Sequence, residues 1–282
     1  MPIDGYTKLI AHVGHPTGTF KSPLIYNPYF DSIGINAAVI PMGVRREDGE
    51  ASLRAIFRMT NVIGALITMP LKIDVVPMLG EMSTTVKIAG SCNAVRVGSD
   101  GRLEGDNFDG VGFVRGLKRK GLELKGANAL VVGAGGVGSA IAAGLAAAGV
   151  AVLGLQDTLS SQMEGLADRL RSHHPDLLVK TGVGDPHGFD VAVNATPLGM
   201  NADDPLPFDP SRLGMGAMVG EVVLKEEMTP LLRAAKAKGL MVQTGLDMLF
   251  EMIPAYLEFF GLPVTTADRL REMASVTSGP TA

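Results

Sequence analysis

Six residues constrain this chain more than any others. Gly133-Ala134-Gly135-Gly136-Val137-Gly138 stands between the apolar run ALVV and the alanine-rich run SAIAAGLAAAG. An apolar strand, a glycine turn and a small-residue helix in that order read as the first half of a βαβ unit. The first glycine permits a tight turn, the second lets backbone N–H groups approach a pyrophosphate, and the third lets the helix lie close to the sheet. The helix N-terminus adds unsatisfied donors and a partial positive charge. A second strand then ends at Asp157. A carboxylate at that place accepts hydrogen bonds from ribose hydroxyls and repels a 2′-phosphate. No Arg or Lys follows within 155–165. The expected cofactor is therefore NAD rather than NADP, held by Gly133, Ala134, Gly135, Gly136, Val137, Gly138 and Asp157.

Composition removes several other classes. The 25 Lys and Arg against 29 Asp and Glu leave a net charge of −4, which does not suit a nucleic-acid partner. A single cysteine, Cys92, excludes a disulfide scaffold or a cysteine-rich metal site and points to a reducing, cytoplasmic setting. The five His residues form no metal-ligand spacing, so no metal is expected. With 46% hydrophobic residues the chain can bury a sizeable core, and with no Trp that core must be aliphatic. The N-terminal run MPIDGYTKLIAHVG has no basic segment ahead of a long apolar one, so it does not read as a signal peptide. The apolar stretch 140–155 carries glycines and reads as helix plus strand, not as a membrane span. The expected partner is a small-molecule substrate, with no membrane, the chain acting as a monomer or homodimer.

The first hundred residues alternate strands and helices, as a parallel or mostly parallel sheet requires. Strands are expected at 8–14, 37–44 and 63–69, and a helix at 51–59. Another helix opens at Pro23, with Ser22 as its N-cap. The segment 91–107 reads as a hairpin turning at Ser99-Asp100-Gly101. A helix follows from Asp109 to about Lys120. Beyond the βαβ unit, strands are expected within 190–200 and 216–224. Thr229-Pro230 caps a helix that Gly239 ends, and 246–261 is an apolar helix with Pro254 inside it.

The order of these motifs resembles the shikimate/quinate dehydrogenase family. The matching pieces are GHPTGTFKSPLIYN (14–27), GALITMPLK (64–72), SCNAV (91–95), GDNFDGVGF (105–113), GAGGVGSAI (133–141), NATPLGM (194–200) and GLDML (245–249). The resemblance implies an α/β fold of two lobes. An N-terminal substrate-binding domain covers 1–106 plus 245–282, its last helix returning to the first lobe. A Rossmann-type dinucleotide-binding domain covers 107–244, with the active site in the cleft between them. It also implies a catalytic pair, Lys72 and Asp109, that holds the hydroxyl whose carbon exchanges hydride. Such a step needs a proton moved to or from oxygen, which a lysine oriented by a carboxylate can do. Ser22, Thr68 and Asn93 match residues that bind substrate. Asn194, Ala195, Thr196, Pro197 and Gly245 match residues that line the nicotinamide.

The chain also departs from the family pattern. Phe20 stands at the first serine of SxSP, Leu66 at the Asn of NVT, and Ala94 and Phe108 at the two threonines of the NT pairs. Leu224 stands at the Tyr of DxxY, and Met252, just after Glu251, at a substrate-binding Gln. Each polar partner lost from a dry site costs about 1–3 kcal/mol. Phe20, Leu224 and Met252 thus mark a site with fewer polar contacts. The expectation is an NAD-dependent dehydrogenase acting on a hydroxyl of a small, cyclic hydroxy acid or related alcohol other than shikimate. Two alternatives stand beside it. One is a dehydrogenase of the same architecture, acting on a methylene-tetrahydrofolate or an amino acid. The other is a non-catalytic nicotinamide-binding sensor.

Overall fold

The computed structural model describes residues 3–201 and 203–274. These form two compact units. Unit 1 comprises 3–86, 91–108 and 253–274; unit 2 comprises 87–90 and 109–252.

Unit 1 begins with β1 (Lys8–Gly14), α1 (Pro23–Ser32), β2 (Ala37–Gly43), α2 (Gly49–Ile56) and β3 (Val62–Ile67). It continues with β4 (Glu81–Met82), α3 (Thr84–Ala89), which crosses into unit 2, then β5 (Ala94–Val97) and β6 (Leu103–Asp106). The sheet order is β2-β1-β3-β5-β6-β4. β1 runs parallel to β2 and β3, whereas β3–β5 and β5–β6 are antiparallel. Successive side chains on a strand leave opposite faces of a sheet. Ala11, Val13, Ala65, Ile67 and Val95 therefore share one buried core with Leu53, Ile56 and Leu71. The residues between them, among them His12, Leu66 and Ala94, lie on the other face. The hairpin turns where the sequence places it, with Gly101 at φ +80° and the Asp100 carboxylate accepting from the Arg102 N–H.

Unit 2 contains α4 (Asp109–Arg119), β7 (Asn128–Val132), α5 (Gly136–Ala147), β8 (Val152–Gln156), α6 (Ser160–His173) and β9 (Leu178–Thr181). β10 (Val191–Asn194), β11 (Met218–Glu221), α7 (Pro230–Ala237), β12 (Met241–Gln243) and the first half of α8 (Gly245–Phe259) complete it. All six strands are parallel, in the order β12-β11-β10-β7-β8-β9. This is the doubly wound order, whose direction reverses between β7 and β10, where such sheets bind ligands at the carboxyl ends of the strands. Val131, Leu153, Leu155 and Val193 fill the core on one face, and Leu130, Val132, Ala192 and Val219 fill it on the other. Burial on both faces explains why these strands read as unbroken apolar runs. Small residues bring α4 and α5 together: a Cβ on Gly110 would run into the Ala140 carbonyl, and one on Gly144 would lie 2.8 Å from the Gly110 oxygen.

The second half of α8 and the short α9 (Ala267–Met273) return to unit 1. Phe108 packs edge-on against Tyr256 and Phe259, Phe260 covers Gly64, and the Tyr29 hydroxyl donates to the Pro263 carbonyl at 2.9 Å. These contacts set the boundaries. Phe108 stays with unit 1, while Met248, in the core of unit 2, keeps the start of α8 there. One expected local feature is absent. Ser22 is already helical (φ −53°, ψ −44°), and its side chain makes no capping bond. Its carbonyl instead accepts the Ile25 and Tyr26 N–H groups.

Candidate active site

Three loops meet at the carboxyl ends of the unit 2 strands. The Gly133 N–H donates to the Gln156 carbonyl and the Ala195 N–H to the Val132 carbonyl, both at 2.7 Å. The Ala134 N–H donates to Asp157 Oδ2 at 2.5 Å, and the Leu159 N–H to Oδ1 at 2.8 Å. Asp157 thus braces the glycine turn and still keeps acceptor capacity, since a carboxylate offers about four lone-pair sites. Gly133 adopts φ +107°, and a Cβ on it would lie 2.7 Å from the Ala195 oxygen. A Cβ on Gly138 would run into the Gly133 carbonyl. Gly135 differs from both. Its backbone is extended (φ −72°, ψ −173°), which any residue adopts, and nothing lies within 4 Å of a Cβ built there. The protein alone gives no reason for glycine at that position; a group approaching the backbone would. α5 begins at the next residue, Gly136, and a helix N-terminus suits a pyrophosphate. The residues present therefore fit a dinucleotide.

The loop 194–200 is built around Asn194. Its Oδ1 accepts from the Thr196 N–H (3.1 Å) and hydroxyl (2.7 Å), and its Nδ2 donates to the Leu198 carbonyl (2.8 Å). Asn194 is fully buried, so it shapes the loop from beneath. Ala195 and Thr196 are half-buried and Pro197 is exposed, so these three, unlike Asn194, belong to the loop's accessible surface. Gly245 opens α8 against the Val223 carbonyl, where a Cβ would collide, so packing alone requires glycine there.

Beneath the loop lies Glu221, at the end of β11 and fully buried. Its Oε2 accepts from the Thr229 hydroxyl at 2.9 Å and from Asn194 Nδ2 at 3.4 Å, while Oε1 has no partner. Burial pushes this carboxyl up to about 7, against the opposing pull of the two hydrogen bonds. A carboxyl raised on folding favours the protonated fold. Its contribution to stability is full below the ordinary value of 4.5 and is lost as pH rises through about 7. Glu221→Gln, which mimics the neutral acid, is expected to gain stability relative to the native protein between pH 5 and pH 8. The gain should be on the order of 2 kcal/mol, several degrees in Tm. A stability difference that stays constant across that range would refute this account.

Unit 1 gathers a second set at the carboxyl ends of β1 and β3. The Thr68 N–H donates to the Val13 carbonyl, the His15 N–H to the Met69 carbonyl, and the Cys92 N–H to the Lys72 carbonyl at 2.7 Å. Gly14 lets the two loops touch, since a Cβ there would lie 2.5 Å from the Met69 oxygen and from Thr68 Cγ2. Lys72 and Thr68 are half-buried. Asn93 is buried; its Oδ1 accepts from the Phe108 N–H at 2.9 Å, and its Nδ2 has no partner. Lys72 lies near enough to His12 for its charge to act on the imidazole. Phe20 stacks on His12, ring centroids 3.9 Å apart at 21°.

Unit 2 holds the remaining candidates. Asp109 is buried as the first residue of α4. One turn on, Gly112 abuts Met252, with 2.6 Å between its built Cβ and that of Met252. Glu251 pairs with Arg119 at 3.5 Å. Leu224 is half-buried in the loop after β11. Among the described residues no group of three or more His, Cys, Asp or Glu could hold a metal ion, and no helix is long and apolar enough to cross a membrane.

Sequence reasoning missed His12 and Glu221. Each interrupts an apolar strand, AHV and GEVV, with a polar residue at a position the fold buries. That interruption was the available signal.

The comparisons agree with this architecture. A family model of the shikimate dehydrogenase substrate-binding domain matches residues 13–95. A shikimate dehydrogenase (NADP(+)) of Rubrobacter xylanophilus is 35% identical over 265 residues, covering 92% of this chain and 93% of that protein. The crystal structure of quinate dehydrogenase from Corynebacterium glutamicum in complex with NAD superposes with a TM-score of 0.82 at 30% identity, covering 95% of this chain and 98% of the other. Shikimate 5-dehydrogenase from Listeria monocytogenes, in complex with shikimate and NAD, gives a TM-score of 0.87 at 25% identity, covering 97% and 98%. With identity at that level along nearly its whole length, the chain belongs to the shikimate/quinate dehydrogenase family.

Proposed function

We propose that the chain is an NAD-dependent oxidoreductase that interconverts a hydroxyl and a carbonyl on a cyclic hydroxy acid less hydroxylated than shikimate. The observation that carries the cofactor reading is Gly135, a glycine that the protein's own packing does not require, beside an Asp157 fixed on the glycine turn. When bound, the nicotinamide accepts the hydride from the substrate carbon or returns it. The chain supplies geometry and proton movement. The helix N-terminus at Gly136 and the turn 133–138 hold the pyrophosphate, and Ala195, Thr196 and Pro197 flank the ring. As the C–H hydrogen leaves as hydride, the hydroxyl proton passes to the neutral amine of Lys72, whose own proton has first gone to solvent. In reverse, Nζ gives that proton to the carbonyl oxygen. The Asp109 carboxylate orients the amine, and Asn93 Nδ2 donates to a neighbouring substrate oxygen, with Ser22 at the acid end and Thr68 as a further substrate contact.

The choice of NAD rests on charge. The relative from Rubrobacter xylanophilus is named for NADP(+). In this chain Asp157 carries a negative charge at the turn, and 155–165 offers no basic side chain to a 2′-phosphate. NAD is expected to bind at least tenfold more tightly than NADP, about 1.4 kcal/mol. Asp157→Arg should narrow or reverse that ratio. Calorimetric titration of both dinucleotides measures it, and equal affinities for the native protein would sink the assignment. The substrate reading is tested by side-by-side kinetics with NAD. Shikimate and quinate are expected to turn over slowly and ring acids lacking a hydroxyl faster. A shikimate efficiency near 10⁵ M⁻¹s⁻¹, within the ordinary enzyme range, would overturn it.

A further inference from the structure

His12 has no part in the steps above, yet its placement is unusual. It pairs in register with Leu66 on β3, and Leu66 pairs with Ala94 on β5. Residues in register on neighbouring strands leave the sheet on the same face. His12, Leu66 and Ala94 therefore form one row across three strands. Leu66 and Ala94 are two of the apolar positions at which the chain departs from the polar family pattern, and Phe20, a third, lies flat on the imidazole. The side chain is 7% exposed, and its Nδ1 is buried with no hydrogen-bond partner. An unpartnered polar atom in a folded interior costs about 1–3 kcal/mol. Such an atom calls for an explanation, and at the edge of a binding site a ligand group supplies one. Burial, and then the positive charge of Lys72, push the imidazole down to about 3, so the ring is neutral at working pH. A neutral ring beside a cation can meet an uncharged oxygen at no ionic cost.

We propose that His12 is a specificity-determining substrate contact: its imidazole supplies the one polar group in the row His12–Leu66–Ala94 and hydrogen-bonds a single ring oxygen of a substrate whose remaining edge is apolar. The substrate class is a cyclic hydroxy acid with one hydroxyl or carbonyl toward β1 and bare ring carbon toward Leu66 and Ala94. Phe20 fixes the imidazole plane and closes that side to water. This deepens the proposed function and rests on it for the identity of unit 1 as the substrate-holding unit.

The test separates binding from turnover. Binding of shikimate, quinate and analogues of each lacking one ring hydroxyl is measured by calorimetry on the NAD-loaded Lys72→Ala protein, alone and combined with His12→Leu or His12→Asn. His12→Leu should weaken the tightest ring acid at least tenfold and erase the preference between it and the analogue lacking the contacted oxygen. His12→Asn, which keeps a polar nitrogen near Nδ1, should restore part of both. In the His12 single variants with Lys72 intact, the loss should fall on KM, with kcat within about threefold. Should His12→Leu fail to fold, ¹⁵N resonances of the native imidazole are followed on addition of each acid and should shift at Nδ1. Unchanged affinity and preference in His12→Leu, an unmoved imidazole signal, or no binding of any ring acid would each overturn the proposal. Ring acids that bind through His12 without being oxidised would leave it standing and remove the redox reading instead.

Discussion

Lys72→Ala is expected to lower turnover at least a hundredfold while changing NAD affinity by less than twofold. Loss of a positioned acid–base group costs about 10²–10⁴ in rate, and Lys72 belongs to unit 1 whereas the glycine turn belongs to unit 2. Asp109→Asn should give a loss of similar size, since the amide keeps the shape of the carboxylate but cannot hold an ammonium by charge. The two variants differ in a second readout. Asp109 opens α4, where a carboxylate favours the helix N-terminus by about 0.3–1 kcal/mol, so its replacement should also lower Tm slightly. Lys72 lies outside any helix, so its alanine variant should show no such loss of helix-terminus stabilisation. The checks are steady-state kinetics on the best ring substrate, dinucleotide titration and a thermal melt. Native turnover in either variant would mean that the pair does not carry the proton.

Much of this was legible before any coordinates. The turn 133–138 was readable because backbone chemistry dictates its glycines, and because the apolar run before it and the alanine run after it need opposite periodicities. The unit 2 strands β7, β8 and β10 were readable because burial on both faces makes them apolar runs. α9 and the edge strands β9 and β12 were not. LVKT and MVQ are short and expose Leu178 and Met241, so they carry little periodic signal. The function of side chains was less legible than their location. Asn194 reads as a residue facing cofactor, but its amide is satisfied within its own loop. Asp157 reads as a ribose contact, and the fold adds a second task, holding the Ala134 N–H. Glu221 and Asn194 are 27 residues apart and meet only because β10 and β11 are neighbours. His12, Leu66 and Ala94 become a row only once the register of β1, β3 and β5 is known. Long-range pairings of this kind have no local signature in a single sequence.

Gly135→Ala is expected to weaken NAD binding about a hundredfold, roughly 2.7 kcal/mol, while leaving Tm unchanged. The glycine turn explains why these two effects separate. At Gly135 the backbone is already extended and the space around a Cβ is open, so alanine fits the protein without strain. Replacing glycine by alanine there also restricts the unfolded chain, which works slightly in favour of the fold. Any loss must therefore come from a ligand that needs the bare backbone. Gly138 makes the opposite case. A Cβ at Gly138 meets the Gly133 carbonyl and lies 3.1 Å from the Ala195 Cβ. Neither neighbour is the end of a flexible side chain, so alanine forces the turn away from β10. Gly138→Ala should therefore lose both affinity and several degrees of Tm. The pair of variants thus distinguishes a turn that merely packs a βαβ unit from one that binds a dinucleotide. A packing turn predicts that Gly135→Ala is silent in every measurement. A binding turn predicts a stable protein that no longer holds NAD, which titration of the purified variant reads without any substrate being known.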